Sequence, residues 1–140
     1  MRAKIQWRDK VHFTAVADSG HQVPLDGPVE AGGENRGSRP MELVLMGLGG
    51  CTSYDVLSIL TKSRQDIVDC EAELEAERSE SVPSVFERIH IRFIITGRGL
   101  DEKKVARAVA LSADKYCSAS IMLERGGVQI THDYQIINVD

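Results

Sequence analysis

The segment that most constrains this chain is Met41 to Cys51, MELVLMGLGGC, which is apolar on nearly every side when wound as a helix. Ser38 offers an N-cap and Pro40 a first-turn residue, so the pattern predicts a helix from about Pro40 to Thr61. A helix that is apolar all round is buried. Gly47, Gly49 and Gly50 each cost about 1 kcal/mol of helix propensity relative to alanine. Three such costs in four positions need compensation, and close packing against the helix backbone just before Cys51 supplies one.

Around this helix the periodicity is that of strands. Ile5 and Trp7, then Val11, Phe13, Ala15 and Ala17, alternate with polar residues on either side of Asp9-Lys10, which reads as a hairpin. Asp18-Ser19-Gly20 is a turn, and His21 to Leu25 a third short strand. Asp26 to Arg39 is a Gly-, Pro- and Asn-rich loop of about a dozen residues, longer than most connections and of a length often tied to function. Val68, Cys70, Ala72, Leu74 and Ala76 alternate with acidic residues, giving a strand with one wet face. Ile89, Ile91, Phe93 and Ile95 form the strand opposite. Asp101 caps a second helix with Val105, Ala108, Val109 and Ser112 on one side. A short helical turn from Cys117 to Leu123 stops at Gly126-Gly127, and Val128 to Ile136 makes a last strand. The order βββ-α-ββ-α-β is of the α+β class, expected as one domain over residues 1–140. Aromatic residues are only 5% of the chain, so its core is aliphatic.

Composition removes several functions. The net charge is −4 and the basic residues are scattered, against nucleic-acid binding. Met1 to Lys10 has no apolar signal-peptide core, and the apolar run from Leu43 reads as too short and too polar to span a bilayer. A cytoplasmic protein is expected. The three cysteines contain no CxxC pair, and His12, His21, His90 and His132 are widely spaced, so neither a disulfide framework nor a metal site is expected. The glycine-rich pieces match no phosphate loop, and no cofactor is indicated.

The thiols are the remaining chemistry. Cys70 sits on the apolar side of its strand and reads as a small buried hydrophobe. Cys51 is either a packing residue or a nucleophile; burial alone raises a thiol's pKa, so a reactive Cys51 needs a cation, and Arg36 and Arg39 lie in or beside the preceding loop. Cys117 is likewise core residue or reactive group, with backbone N–H groups at the start of the following turn favouring its thiolate. His132 reads as a satisfied core histidine and His90 as solvated.

Two segments carry a family resemblance. SRPMELVLMGLGGCTSYDVLSIL resembles the central helix of the OsmC/Ohr family, and ALSADKYCSASIMLERGGVQITHDYQI its second-cysteine helix and closing strand, nearest to the OsmC-like, YhfA-type subgroup. Element order and length agree over essentially the whole chain. The resemblance implies an OsmC-like fold in an intertwined homodimer, its central helices back to back, and thiol-dependent reduction of organic hydroperoxides by an external dithiol reductant, without metal or haem. It puts Cys51 at the attacking position and Cys117 at the resolving one. Pro40 matches the family proline, but the next position, where peroxidase members carry a functional glutamate, is Met41; Glu42 is one step along. Arg36 and Arg39 are the candidates for the family arginine. Met41, Leu45 and Leu48 are expected to line an apolar peroxide site. The alternatives are a non-catalytic dimer that binds a small hydrophobic ligand or senses redox state, and, less supported, acyl-transfer chemistry at Cys51, which lacks a histidine base.

Overall fold

Strand periodicity from both halves of the chain emerges as two separate three-stranded sheets in a computed structural model of residues 1–140. The chain divides into two compact units, Met1–Val44 and Leu45–Asp140.

The first unit is an antiparallel meander of β1 (Ala3–Asp9), β2 (His12–Ala17) and β3 (Gln22–Leu25). The β1–β2 turn is set by Lys10 at φ 46, where the Trp7 indole N–H donates to the Lys10 carbonyl at 2.9 Å. β3 is an edge strand, which tolerates Pro24. The long loop is ordered by Asp26, a 2% exposed carboxylate. It accepts from the backbone N–H groups of Gly27, Glu34 and Arg36 and from the Arg36 guanidinium at 2.8 Å. That guanidinium holds the Asp26 carboxyl well below the usual carboxylate range. The expected Ser38 cap is not one. Ser38 instead pairs beside Leu25 as an isolated bridge, and its N–H donates to the Pro24 carbonyl. Glu42, three residues into the helix, reaches back to accept the Arg39 N–H at 2.8 Å.

The unit boundary falls inside α1 (Pro40–Lys62), a helix of 23 residues. By length and composition it is apolar enough to cross a membrane, with an 18-residue window of mean hydropathy 1.6. In the second unit α1 buries Leu48, Gly49, Thr52, Val56 and Leu60, a stripe at helical spacing. Its opposite face is not covered: Met46, Gly47, Gly50 and Tyr54 are exposed.

The sheet of the second unit has the order β4 (Asp66–Arg78), β5 (Phe86–Arg98), β6 (Gln129–Asn138), antiparallel then parallel. Central β5 contributes Ile89, Ile91, Phe93 and Ile95, each at most 1% exposed, as its alternation predicts. In β4 the alternation is broken by an irregularity between Ile67 and Asp69. It turns Val68 outward, 50% exposed, and Ile67 inward, so the expected inward set begins at Cys70 rather than Val68. Glu71, Glu73, Glu75 and Glu77 face solvent. α2 (Glu102–Leu111) is capped by the Asp101 carboxylate, which accepts from Lys103 and Lys104 N–H, and buries Val105, Ala108 and Val109. α3 (Ser118–Arg125) is closed by Gly126, and Gly127 beyond it has a φ of 99, a glycine conformation. His90 is exposed and bonded to Thr131, whereas His132 has a buried Nε2 with no hydrogen-bond partner, against the satisfied state expected of it.

Candidate active site

The site is built where α1 meets the connection between α2 and α3. Cys51 projects from α1 and is half-buried. Asp55 follows at i+4, one turn on and on the same helix face. Between α2 and α3 the chain makes one wide π-type turn, Ser112–Tyr116, and Cys117 then caps α3 in an extended conformation. The turn is fastened to α1 by a buried hydroxyl contact between Thr52 and Ser112 at 2.9 Å. The Ser112 hydroxyl also lies 3.3 Å from the Thr52 carbonyl and 3.5 Å from Asp55 Oδ2. The Ser112 carbonyl accepts the Cys117 N–H at 2.8 Å.

As a result the Cys51 sulfur, an Asp55 carboxylate oxygen and the Cys117 sulfur all lie within 4.8 Å of one another. The sequence gives little warning of Asp55; its i+4 spacing from Cys51 is the one signal available. Cys117 is fully buried. Its sulfur accepts the Ser120 N–H at 3.4 Å, the interaction expected to favour a thiolate. Burial outweighs it: desolvation, helped by the neighbouring Cys51 sulfur and Asp55 charge, leaves the Cys117 thiol pushed up to about 12. Of the two effects open for Cys117, burial thus outweighs the helix-start N–H groups. Cys70 stands apart from the cluster, half-buried, its thiol raised by desolvation and Asp69.

The other sequence candidates have local tasks in the first unit. Arg36 is bound to Asp9 at 2.7 Å and to Asp26 at 2.8 Å, which raises its own pKa further. Arg39 donates to Asn35 Oδ1 at 2.7 Å and to the Gly37 carbonyl at 3.0 Å, both neutral groups. Glu42 caps α1, and Met41 is half-buried in the first turn. Leu48, expected to line an apolar site, is fully enclosed in the core. A cavity of ≈ 650 Å³ opens beside Asp55 instead, with Tyr54, Ile59, Leu111, Lys104 and Arg107 on its walls.

Comparison with known proteins identifies relatives of this chain and of its fold. The family described as OsmC-like protein matches residues 32–133. Protein YhfA of Escherichia coli strain K12 is 47% identical over 98% of this chain and 98% of its own length. A crystal structure of a hypothetical protein from Aquifex aeolicus VF5 superposes with a TM-score of 0.80 at 29% identity, over 96% of both chains. The organic hydroperoxide resistance protein OhrB of Bacillus subtilis shares the fold, with a TM-score of 0.62 at 20% identity over 96% of this chain and 98% of the other. A chain with this element order, matched by one family profile from the long loop to β6 and by a full-length relative at 47% identity, belongs to the OsmC-like protein family.

Proposed function

We propose that this protein reduces organic hydroperoxides with Cys51 and Cys117 as a working thiol pair. The observation that carries the reading is the approach of the two sulfurs to within 4.8 Å in a partly enclosed site. A disulfide needs about 2.05 Å, so a modest shift of α3 or a rotamer change closes the gap. Fold likeness to a protein named for organic hydroperoxide resistance supports the substrate class.

The asymmetry of the pair supports the order of events. Cys51 is the more exposed sulfur and Cys117 the buried, protonated one. Cys51 as thiolate attacks one peroxide oxygen, the O–O bond breaks, and an alcohol leaves, with Cys51 now a sulfenic acid. Cys117 loses its proton, with Asp55 as the adjacent acceptor, and displaces water to form the disulfide. An external dithiol restores both thiols. Of the two arginines of the first unit, Arg36 is already balanced by carboxylates, whereas Arg39 meets only neutral groups.

A homodimer fits this reading. Gly47 and Gly50 face open space within the protomer, and with Met46 and Tyr54 they leave an apolar strip of α1 that a second copy of the helix would cover. Free thiols that must cycle also fit a reducing compartment, the cytoplasm.

The test is consumption of cumene hydroperoxide with a dithiol reductant. Wild type and Cys70→Ser turn over, and Cys51→Ser does not; equal rates in wild type and Cys51→Ser overturn the reading. A second reading, a redox sensor without turnover, is favoured by one observation: the charged group beside the sulfurs is the Asp55 carboxylate, which opposes a thiolate. It predicts one stoichiometric loss of free thiols and no cycling.

A further inference from the structure

We propose that the reduced site binds a thiophilic divalent metal ion, of the zinc class, through Cys51, Asp55 and Cys117. Three donor atoms of the right chemistry already lie within 4.8 Å of one another. Zinc with metal–sulfur bonds of about 2.3 Å in a tetrahedron sets its sulfur ligands roughly 3.8 Å apart, so small side-chain adjustments close the shell. Two thiolates select zinc, cadmium or copper(I) over magnesium or calcium, which prefer oxygen. The site has further properties that a metal centre needs. Its ligands have polar groups beside them: the Ser112 hydroxyl lies 3.5 Å from Asp55 Oδ2, and the Ser120 N–H donates to the Cys117 sulfur. It has an entry path, because Asp55 also lines the ≈ 650 Å³ cavity. Asp55 makes no ion pair that would compete for its charge. Three protein ligands leave a fourth position for water or an exogenous thiol.

Metal and disulfide are mutually exclusive at these sulfurs. Oxidation by a hydroperoxide withdraws two electrons from the two thiolates and consumes two protons, giving disulfide, alcohol and water; the ion is left with one carboxylate and departs. The bound ion therefore protects the thiols or holds the protein inactive until peroxide arrives. The proposal uses the same thiols as the peroxidase reading but does not depend on turnover.

The experiment titrates reduced, metal-free protein with Co²⁺, read by sulfur-to-cobalt charge-transfer absorption, and then displaces it with Zn²⁺. One ion per chain is expected. Cys51→Ser and Cys117→Ser should each abolish the charge-transfer band or cut affinity on the order of a hundredfold, and Asp55→Asn should weaken binding on the order of tenfold while leaving the fold intact. Cys70→Ser should bind as wild type, and protein oxidised to the disulfide should not bind. Absence of the band, or a band that survives both cysteine substitutions, overturns the proposal. Unchanged affinity in Asp55→Asn overturns the three-ligand set. Peroxide consumption measured on the same metal-free protein separates the two readings, since either can fail while the other stands.

Discussion

Thr52 and Ser112 bring their hydroxyls to 2.9 Å in a fully enclosed setting, and this contact joins the residue after Cys51 to the turn that delivers Cys117. The Ser112 hydroxyl thus ties the two halves of the candidate site. Thr52→Val keeps the shape and removes the hydroxyl, while Ser112 retains the Thr52 carbonyl as acceptor. The expected cost is about 1 kcal/mol in urea unfolding. Disulfide formation after a peroxide dose should slow, while the first oxidation of Cys51 keeps its rate. Unchanged disulfide kinetics would remove the tether from the mechanism.

The two thiols should differ sharply in reactivity. Cys51 is half-buried, whereas Cys117 is enclosed with its thiol pushed up to about 12. Limited iodoacetamide treatment at a pH below the usual thiol value should label Cys51 first and leave Cys117 unmodified until the protein is unfolded, as read by peptide mass mapping. The raised value also sets a stability trend. Cys117 holds its proton more tightly folded than unfolded, so its contribution is complete below the ordinary thiol value of 9.0 and is lost as pH rises toward 12. The Cys117→Ser variant should show a flatter alkaline limb in unfolding measured against pH.

The three helix glycines should respond in opposite ways. A Cβ on Gly49 would come within 2.9 Å of Leu74 Cδ1, so the helix-propensity gain of Gly49→Ala is offset by overpacking, with a net loss of about 0–2 kcal/mol. Gly47 and Gly50 have nothing within 4 Å of an added Cβ. In an isolated protomer, alanine at either position should stabilise by about 1 kcal/mol. If two copies of α1 close on that face, the same substitutions should weaken the dimer instead. Sedimentation equilibrium of Gly50→Ala against wild type decides between these outcomes.

The first unit should carry an acid-sensitive anchor. The Asp26 carboxyl lies well below its ordinary value of 3.8 because the Arg36 guanidinium and three backbone N–H groups favour the charged form. A lowered folded-state pKa stabilises above the unfolded value and is lost as pH falls through and below about 4. Asp26→Asn should lower the melting temperature at pH 7 and flatten its decline between pH 5 and pH 2. Parallel curves for the two proteins would mean that another carboxylate governs acid unfolding.

Local pattern determined much of this protein. The period-2 runs of β4 and β5, the Asp101 cap, the Gly126-Gly127 stop and the apolar helix before Cys51 are short-range features, each legible because neighbours in sequence impose them. What local pattern could not supply is anything that depends on distant segments meeting. Val68 turns outward because of an irregularity in pairing with β5, and Leu48 belongs to the core because that face of α1, rather than another, is covered. Sequence leaves Cys117 open between core residue and reactive group, and the burial that overrides its helix-start N–H groups comes from the surrounding fold. Asp55 drew no attention, since a single carboxylate on a helix acquires chemistry only when a second thiol arrives beside it. The two cysteines and their order came from sequence and family resemblance. Their approach, the carboxylate between them and the difference in their protonation were decided by the Ser112–Tyr116 turn, which only the tertiary structure fastens against α1.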